Sequence, residues 1–162
     1  MILQLRRGPE ALLGDFKSGS RAVEGFVFPE DDNAYEDGTL IDTDKAWHAI
    51  HFILSGTVYD AYLPEGFLLG GTEIGDELAY GPARYLNVSE VKKVAQYLQA
   101  LPEDVIQAQF DYKALHKNDI YPSIWDRTDT ADLEYIADYY EEIRDFMLDA
   151  AKASEIVVLA MT

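Results

Sequence analysis

The run Ile156-Val157-Val158-Leu159-Ala160 limits the possible folds more than any other stretch of the chain. Five consecutive apolar residues, three of them β-branched, offer water no polar face. They read as a strand inside a sheet, covered on both sides. The stretch before it has the helical period instead. Between about Thr130 and Ala153, the residues Leu133, Ile136, Ala137, Tyr140, Ile143, Met147 and Ala151 share one face, which predicts a single long helix with a buried stripe.

The earlier elements are shorter. Ile2, Leu3 and Leu5 predict a first strand, and Pro9 to Phe16 a helix with Pro in its first turn and Gly19 after its end. Residues 25–38 are rich in turn formers and acids and read as a loop. A helix is expected from about Thr43 to Ser55, with Asp42 as N-cap, Gly56 as terminator, and Trp47, Ile50, His51 and Leu54 on one face. Phe67-Leu68-Leu69 reads as a short strand, residues 75–82 as a loop, and Ala83 to Leu86 as another strand. Asn87 and Glu90 form a capping-box signature for the next helix, whose apolar face is Val91, Val94, Ala95 and Leu98. Pro102 can open a short helix through Gln109, and Asp111 to His116 adds a further turn of helix. With no repeat and no long linker, residues 1–162 are expected to form one α+β domain. Several helices would pack on a small mixed sheet that includes the C-terminal strand.

Charge narrows the partners. Asp and Glu number 30 against 13 Lys and Arg, a formal net of −17 over 162 residues. Such a chain repels phosphate backbones and anionic lipid surfaces and attracts basic proteins. No basic patch is present, so neither nucleic acid nor membrane is expected as a partner. Hydrophobic residues make up 48% of the chain, too many for a disordered acidic tail. The absence of cysteine excludes disulfides, thiolate catalysis and cysteine-ligated zinc, and suits a reducing cytoplasm. No apolar run is long enough to cross a membrane, and residues 1–7 lack the apolar stretch of a signal peptide.

No complete catalytic or cofactor motif occurs. Gly70-Gly71-Thr72-Glu73-Ile74-Gly75 is followed by Asp76 and Glu77 where a phosphate loop needs Lys and Ser or Thr, so it reads as a turn. Ser55, Ser89 and Ser123 lack a nucleophile-elbow context. His48 and His51, at i and i+3, could approach one metal, but a metal site needs three or four convergent ligands. The preferred reading makes His51 a core histidine with a satisfied hydrogen bond and puts His48 at the surface. Arg84, after Tyr80-Gly81-Pro82, could clamp a carboxylate or phosphate. It is expected instead to pair internally with Asp44 or Asp42. A small-molecule pocket, if there is one, would combine Asp44, Trp47, His51, Tyr80 and Arg84 as aromatic wall, titratable group and anion clamp. No catalytic residue, metal or cofactor is assigned.

The long helix differs in kind. From Asp126 to Asp149 the chain has nine acids against Arg127 and Arg144. Asp138, Glu141, Glu142, Asp145 and Asp149 line up opposite the apolar stripe, with Tyr135, Tyr139 and Phe146 interleaved and Glu134 one turn earlier. Such a stripe is usually a solvated outer face. The alternative is a docking surface, in which tyrosines anchor a basic partner and the acids steer it.

Three segments together resemble a known family. They are Asp42-x-Asp44-Lys45-x-Trp47-x-x-Ile50-His51-x-x-Leu54-x-Gly56, Tyr80-Gly81-Pro82-Ala83-Arg84 and Tyr121-Pro122-x-Ile124-Trp125. The chain is similar over roughly residues 40–162 to the YfbM-like proteins, a bacterial family described as a domain of unknown function. The resemblance implies a cytosolic bacterial protein with a single α+β domain, and it transfers no catalytic residues. Two functions are therefore expected to compete. One is a non-catalytic module that binds a basic protein, in its sharpest form an immunity-type inhibitor capping a bacterial toxin. The other is an enzyme or sensor for a small anionic metabolite.

Overall fold

A computed structural model describes residues 1–31, 33–125 and 130–162. Its centre is the apolar run, which lies in strand β5 (Glu155–Met161). β5 pairs with β1 (Leu3–Pro9) on one side and with β4 (Gly81–Leu86) on the other. β2 (Leu40–Asp42) extends the sheet beyond β1, and β3 (Thr72–Leu78) extends it beyond β4, giving the order β2-β1-β5-β4-β3. Every pairing is antiparallel, so the sheet is not mixed. A single Ser154 in the left-handed region (φ 56°) turns the chain from the long helix directly into β5, which sets these two neighbours antiparallel without a crossover.

Alternation along β5 builds two cores. Val157 and Leu159 face a layer of α4 (Trp47–Ser55), α5 (Val88–Ala100) and α8 (Ala131–Ala153). Ile156, Val158 and Ala160 face α1 (Leu12–Ser18) and α2 (Val23–Val27), which contribute Leu12, Phe16, Val23, Phe26 and Val27. The remaining helices are α3 (Asn33–Glu36), α6 (Val105–Gln109) and α7 (Tyr112–Lys117). Among the described residues the protein is thus an α+β domain of eight helices on a five-stranded antiparallel sheet. No described helix is long and apolar enough to cross a membrane.

Several local expectations give way to tertiary context. The segment 25–38 is not all loop, because it carries the end of α2 and all of α3, with Asp32 outside the described residues. Asp42 does not cap α4. It ends β2, and its Oδ1 accepts the Asp44 N–H at 2.7 Å in a turn that holds Asp44 at φ 44°. Phe67-Leu68-Leu69 is a buried turn and not a strand. Residues 75–82 are not a loop, because they form the β3–β4 hairpin. The Asn87/Glu90 capping box is present, with both reciprocal bonds made.

Candidate interaction surface

The five residues of the expected pocket do not form one group. Trp47 and His51 share α4, with Arg84 near enough for its charge to act on His51, while Tyr80 and Asp44 are engaged separately. Trp47 and His51 are only 3% and 1% exposed, because α4 is buried around most of its circumference. Trp47 stacks on His48 and Tyr121, and its indole N–H donates to the Met1 carbonyl at 3.4 Å. His51 Nε2 lies 3.4 Å from Ser55 Oγ, while its Nδ1 has no hydrogen-bond partner among the described residues. Burial, followed by the charges of His48 and Arg84, drives its pKa from the ordinary 6.5 down to about 4. The expectation of a satisfied His51 therefore fails at one nitrogen. The expectation of a surface His48 fails outright, since it is 2% exposed. His48 Nδ1 accepts the Tyr121 N–H at 3.0 Å, so Nε2 carries the proton that it donates to the Val58 carbonyl, also at 3.0 Å. That histidine ties α4 to two loops.

Among the described residues Arg84 has no carboxylate within ion-pair distance, contrary to the expected link with Asp44 or Asp42. Its guanidinium donates to the carbonyls of Gly70 (3.2 Å) and Leu68 (3.3 Å), fastening the buried turn to β4. Burial lowers its pKa, with Glu73 acting in the opposite direction. Tyr80 is 55% exposed at the β3–β4 turn. Asp44 belongs to a different group altogether.

That group lies where the loop after β2 meets α8. Tyr135 Oη donates to Asp44 Oδ2 at 2.9 Å and accepts the Lys45 N–H at 3.1 Å. Tyr135 and Tyr139 meet edge to face with ring centroids 5.0 Å apart. Burial raises the pKa of both phenols, reinforced at Tyr135 by the bond to Asp44 and at Tyr139 by Asp44, Asp42 and Glu142. Burial also raises Glu142, with a further push from Asp42. Two acids of the β2 loop thus join the helical stripe. Along α8, Glu134, Asp138, Glu142, Asp145 and Asp149 are exposed, and Tyr135 and Tyr139 are half-buried beside them. Ion pairs among the described residues are few. Arg7 pairs with Glu155 at 3.1 Å, and Arg144 sits 4.0 Å from Asp145. Neither involves Asp42, Asp44, Asp138 or Glu142, so the centre of the patch keeps its negative charge. Asp126, Arg127 and Asp129, counted with this helix region in the sequence, lie outside the described residues. No group of three or more potential metal ligands occurs among the described residues.

Sequence reasoning missed Asp42 as part of this surface and His48 as a buried tie. The only local signal for the first was the Asp42-x-Asp44 spacing, which fits a helix cap equally well.

The chain is similar to the crystal structure of YfbM from Escherichia coli, a protein of unknown function. The TM-score is 0.72 and the identity 16%, with 98% of each chain covered, so the likeness is one of fold. No curated protein matches the sequence. The family model described as "Domain of unknown function (DUF1877)" matches residues 1–160, which extends the resemblance across the N-terminal forty residues; the chain belongs to that family.

Proposed function

We propose that this protein is a non-catalytic acidic module that binds a basic protein through the face formed by α8 and the loop after β2. In its sharpest form it is an immunity-type inhibitor that covers the positively charged active site of a bacterial toxin acting on nucleic acid or a nucleotide. Its acids would then stand where the anionic substrate binds. One observation supports this reading above the others. Asp42, Asp44 and Glu142 crowd around Tyr135 and Tyr139 with no cation paired to them among the described residues, and the Glu142 carboxyl is pushed upward by burial and, to a lesser extent, by Asp42. A cationic partner relieves that repulsion on binding, and half-buried tyrosines lose little side-chain freedom as anchors. A net charge of −17 disfavours the approach of nucleic acid or anionic lipid. Such an inhibitor would act in the cytoplasm. The metabolite-sensor reading has less in its favour, because Arg84 already directs donors to two backbone carbonyls and His51 is enclosed.

The test starts from capture of partners by the tagged protein in its native cells, with low- and high-salt washes. The captured protein is then purified and titrated. The expected partner is basic and forms a stoichiometric complex whose association rate falls steeply with salt. The triple variant D138K/E142K/D145K should weaken it about a hundredfold, through loss of two or more favourable charge contacts, and keep the native circular dichroism spectrum. Equal affinity of the triple variant for the partner would remove α8 from the proposal.

A further inference from the structure

We infer that the loop from Thr57 to Gly66 holds one arginine side chain of a partner protein, stacked on Tyr62 and paired with Asp60 and Glu65. This docking surface is independent of the α8 reading, because it uses no residue of α8 or of the loop after β2.

The loop is anchored at its start and folded upon itself. His48 donates from Nε2 to the Val58 carbonyl at 3.0 Å and stacks on Tyr59 with ring centroids 5.6 Å apart. Thr57 Oγ1 accepts the Asp60 N–H at 3.1 Å, and the Tyr62 carbonyl accepts the Gly66 N–H at 2.7 Å. Only glycine fits at position 66, where a Cβ would collide with the Asp60 carbonyl oxygen. The backbone that carries Asp60 and Tyr62 thus rests directly on the backbone of Gly66, so these side chains are presented in a fixed arrangement.

They border a cavity of about 220 Å3, lined by Ser55, Thr57, Asp60, Tyr62, Glu65 and Gly66. That is less than the ~300 Å3 from which small-molecule sites begin, and it suits a single long side chain. Its charge is of one sign. Asp60 and Glu65 are exposed, and among the described residues neither lies within ion-pair distance of a cation. No Lys, Arg or His lines the space, and Arg84 directs its donors to Leu68 and Gly70 in the turn that follows. Tyr62 is the most exposed large side chain of apolar character among the described residues, at 80%. Its ring contacts no other ring and its hydroxyl makes no hydrogen bond among those residues, so folding leaves an aromatic face open beside two unpaired carboxylates.

An aromatic face next to carboxylates attracts a cation. A guanidinium suits it better than an ammonium. It is planar, it stacks on the ring while its edge donates to carboxylates, and it is more weakly hydrated. A metal ion finds no group of three or more potential ligands among the described residues. A second copy of this chain would bring a net charge of −17 against two unpaired acids. Tyrosine beside acids is also the composition that anchors an arginine at a protein interface.

The probes are N-acetyl-arginine amide, its neutral counterpart N-acetyl-citrulline amide, and N-acetyl-lysine amide. Amide NMR shifts of the full-length protein follow each titration. The arginine probe should shift residues 55–66 saturably, about tenfold more tightly than citrulline and more tightly than lysine. D60N/E65Q should weaken it by about tenfold or more, and Tyr62→Ala severalfold, whereas Tyr62→Phe should keep it because the ring makes the contact. All of these side chains are exposed, so the variants should remain folded. The α8 variant D138K/E142K/D145K should still give the response at residues 55–66. Equal binding of arginine and citrulline overturns the charge pairing, and equal binding of lysine overturns the choice of guanidinium. An unaffected Tyr62→Ala protein overturns the stacking. Shifts confined to α8, or as great a loss in the α8 variant as in D60N/E65Q, overturn the site, because net charge alone would then account for the binding.

Discussion

Replacing Arg84 with Ala should lower the unfolding free energy by about 3 kcal/mol and the melting temperature by about 10 °C. The cause is local. Phe67 and Leu68 are 0% and 1% exposed, so the turn they form is packed against the core, yet a turn cannot satisfy its own carbonyls as a strand or helix does. Arg84 supplies the missing donors to Leu68 and Gly70 from the adjacent strand β4. Its removal leaves two carbonyls short of partners and a space where the guanidinium lay, each a cost of about 1–3 kcal/mol. Arg84→Lys should recover less than half of the loss, because an ammonium group lacks the planar fork that reaches two acceptors at once. Thermal unfolding followed by circular dichroism measures both variants. An Arg84→Ala protein that melts with the parent would show that the turn holds without its fastener and would reopen a ligand role for the guanidinium.

The same turn explains why part of the molecule was illegible in the sequence. Phe67-Leu68-Leu69 has the composition of a buried strand, and burial is what composition reports; whether a buried apolar run is extended depends on which donors reach it, and Arg84 is fifteen or so residues away. β3 failed in the opposite way. Glu73, Gly75, Asp76 and Glu77 are poor strand formers, and an edge strand with one solvated side tolerates them because only its inner hydrogen bonds are made. β5, α5 and α8 were legible because their signals are local: an unbroken β-branched run, a capping box and a long 3.6-residue period. The acidic stripe of α8 could be read for the same reason. Its extension onto Asp42 and Asp44 could not, since it depends on β2 pairing with β1 and on Tyr135 reaching Asp44 across 91 positions of sequence. His48 escaped notice because the apolar period of α4 marks one face, whereas the helix is enclosed on nearly all sides.

That enclosure makes the protein acid-sensitive through its histidines. His51 is neutral and buried in the folded state, with its pKa held at about 4 against an ordinary 6.5. The unfolded chain therefore binds a proton near pH 6.5 that the folded chain refuses until about pH 4. The stabilisation is complete above pH 6.5, declines as pH falls through that window, and is gone below it. At full extent it is on the order of 3 kcal/mol for His51. His48 acts in the same direction, because burial lowers its pKa against the opposing bond to Val58, and a proton on Nδ1 would face the Tyr121 N–H that now donates to it. Two influences oppose them. Glu142 is raised by burial and by Asp42, so its protonation favours the folded state, and acid also relieves the repulsion within a chain of net charge −17. The total curve of stability against pH consequently mixes both signs, and the histidine contribution has to be taken as a difference. His51→Gln, which cannot titrate, should lose stability at pH 7.5 and yet show a shallower fall between pH 6.5 and 4.5. The difference in slope should approach one proton, about 1.4 kcal/mol per pH unit, in denaturant titrations at each pH. Parallel curves for parent and variant, or an NMR titration placing folded His51 near 6.5, would show that water reaches the ring and that α4 is less tightly enclosed than its burial indicates.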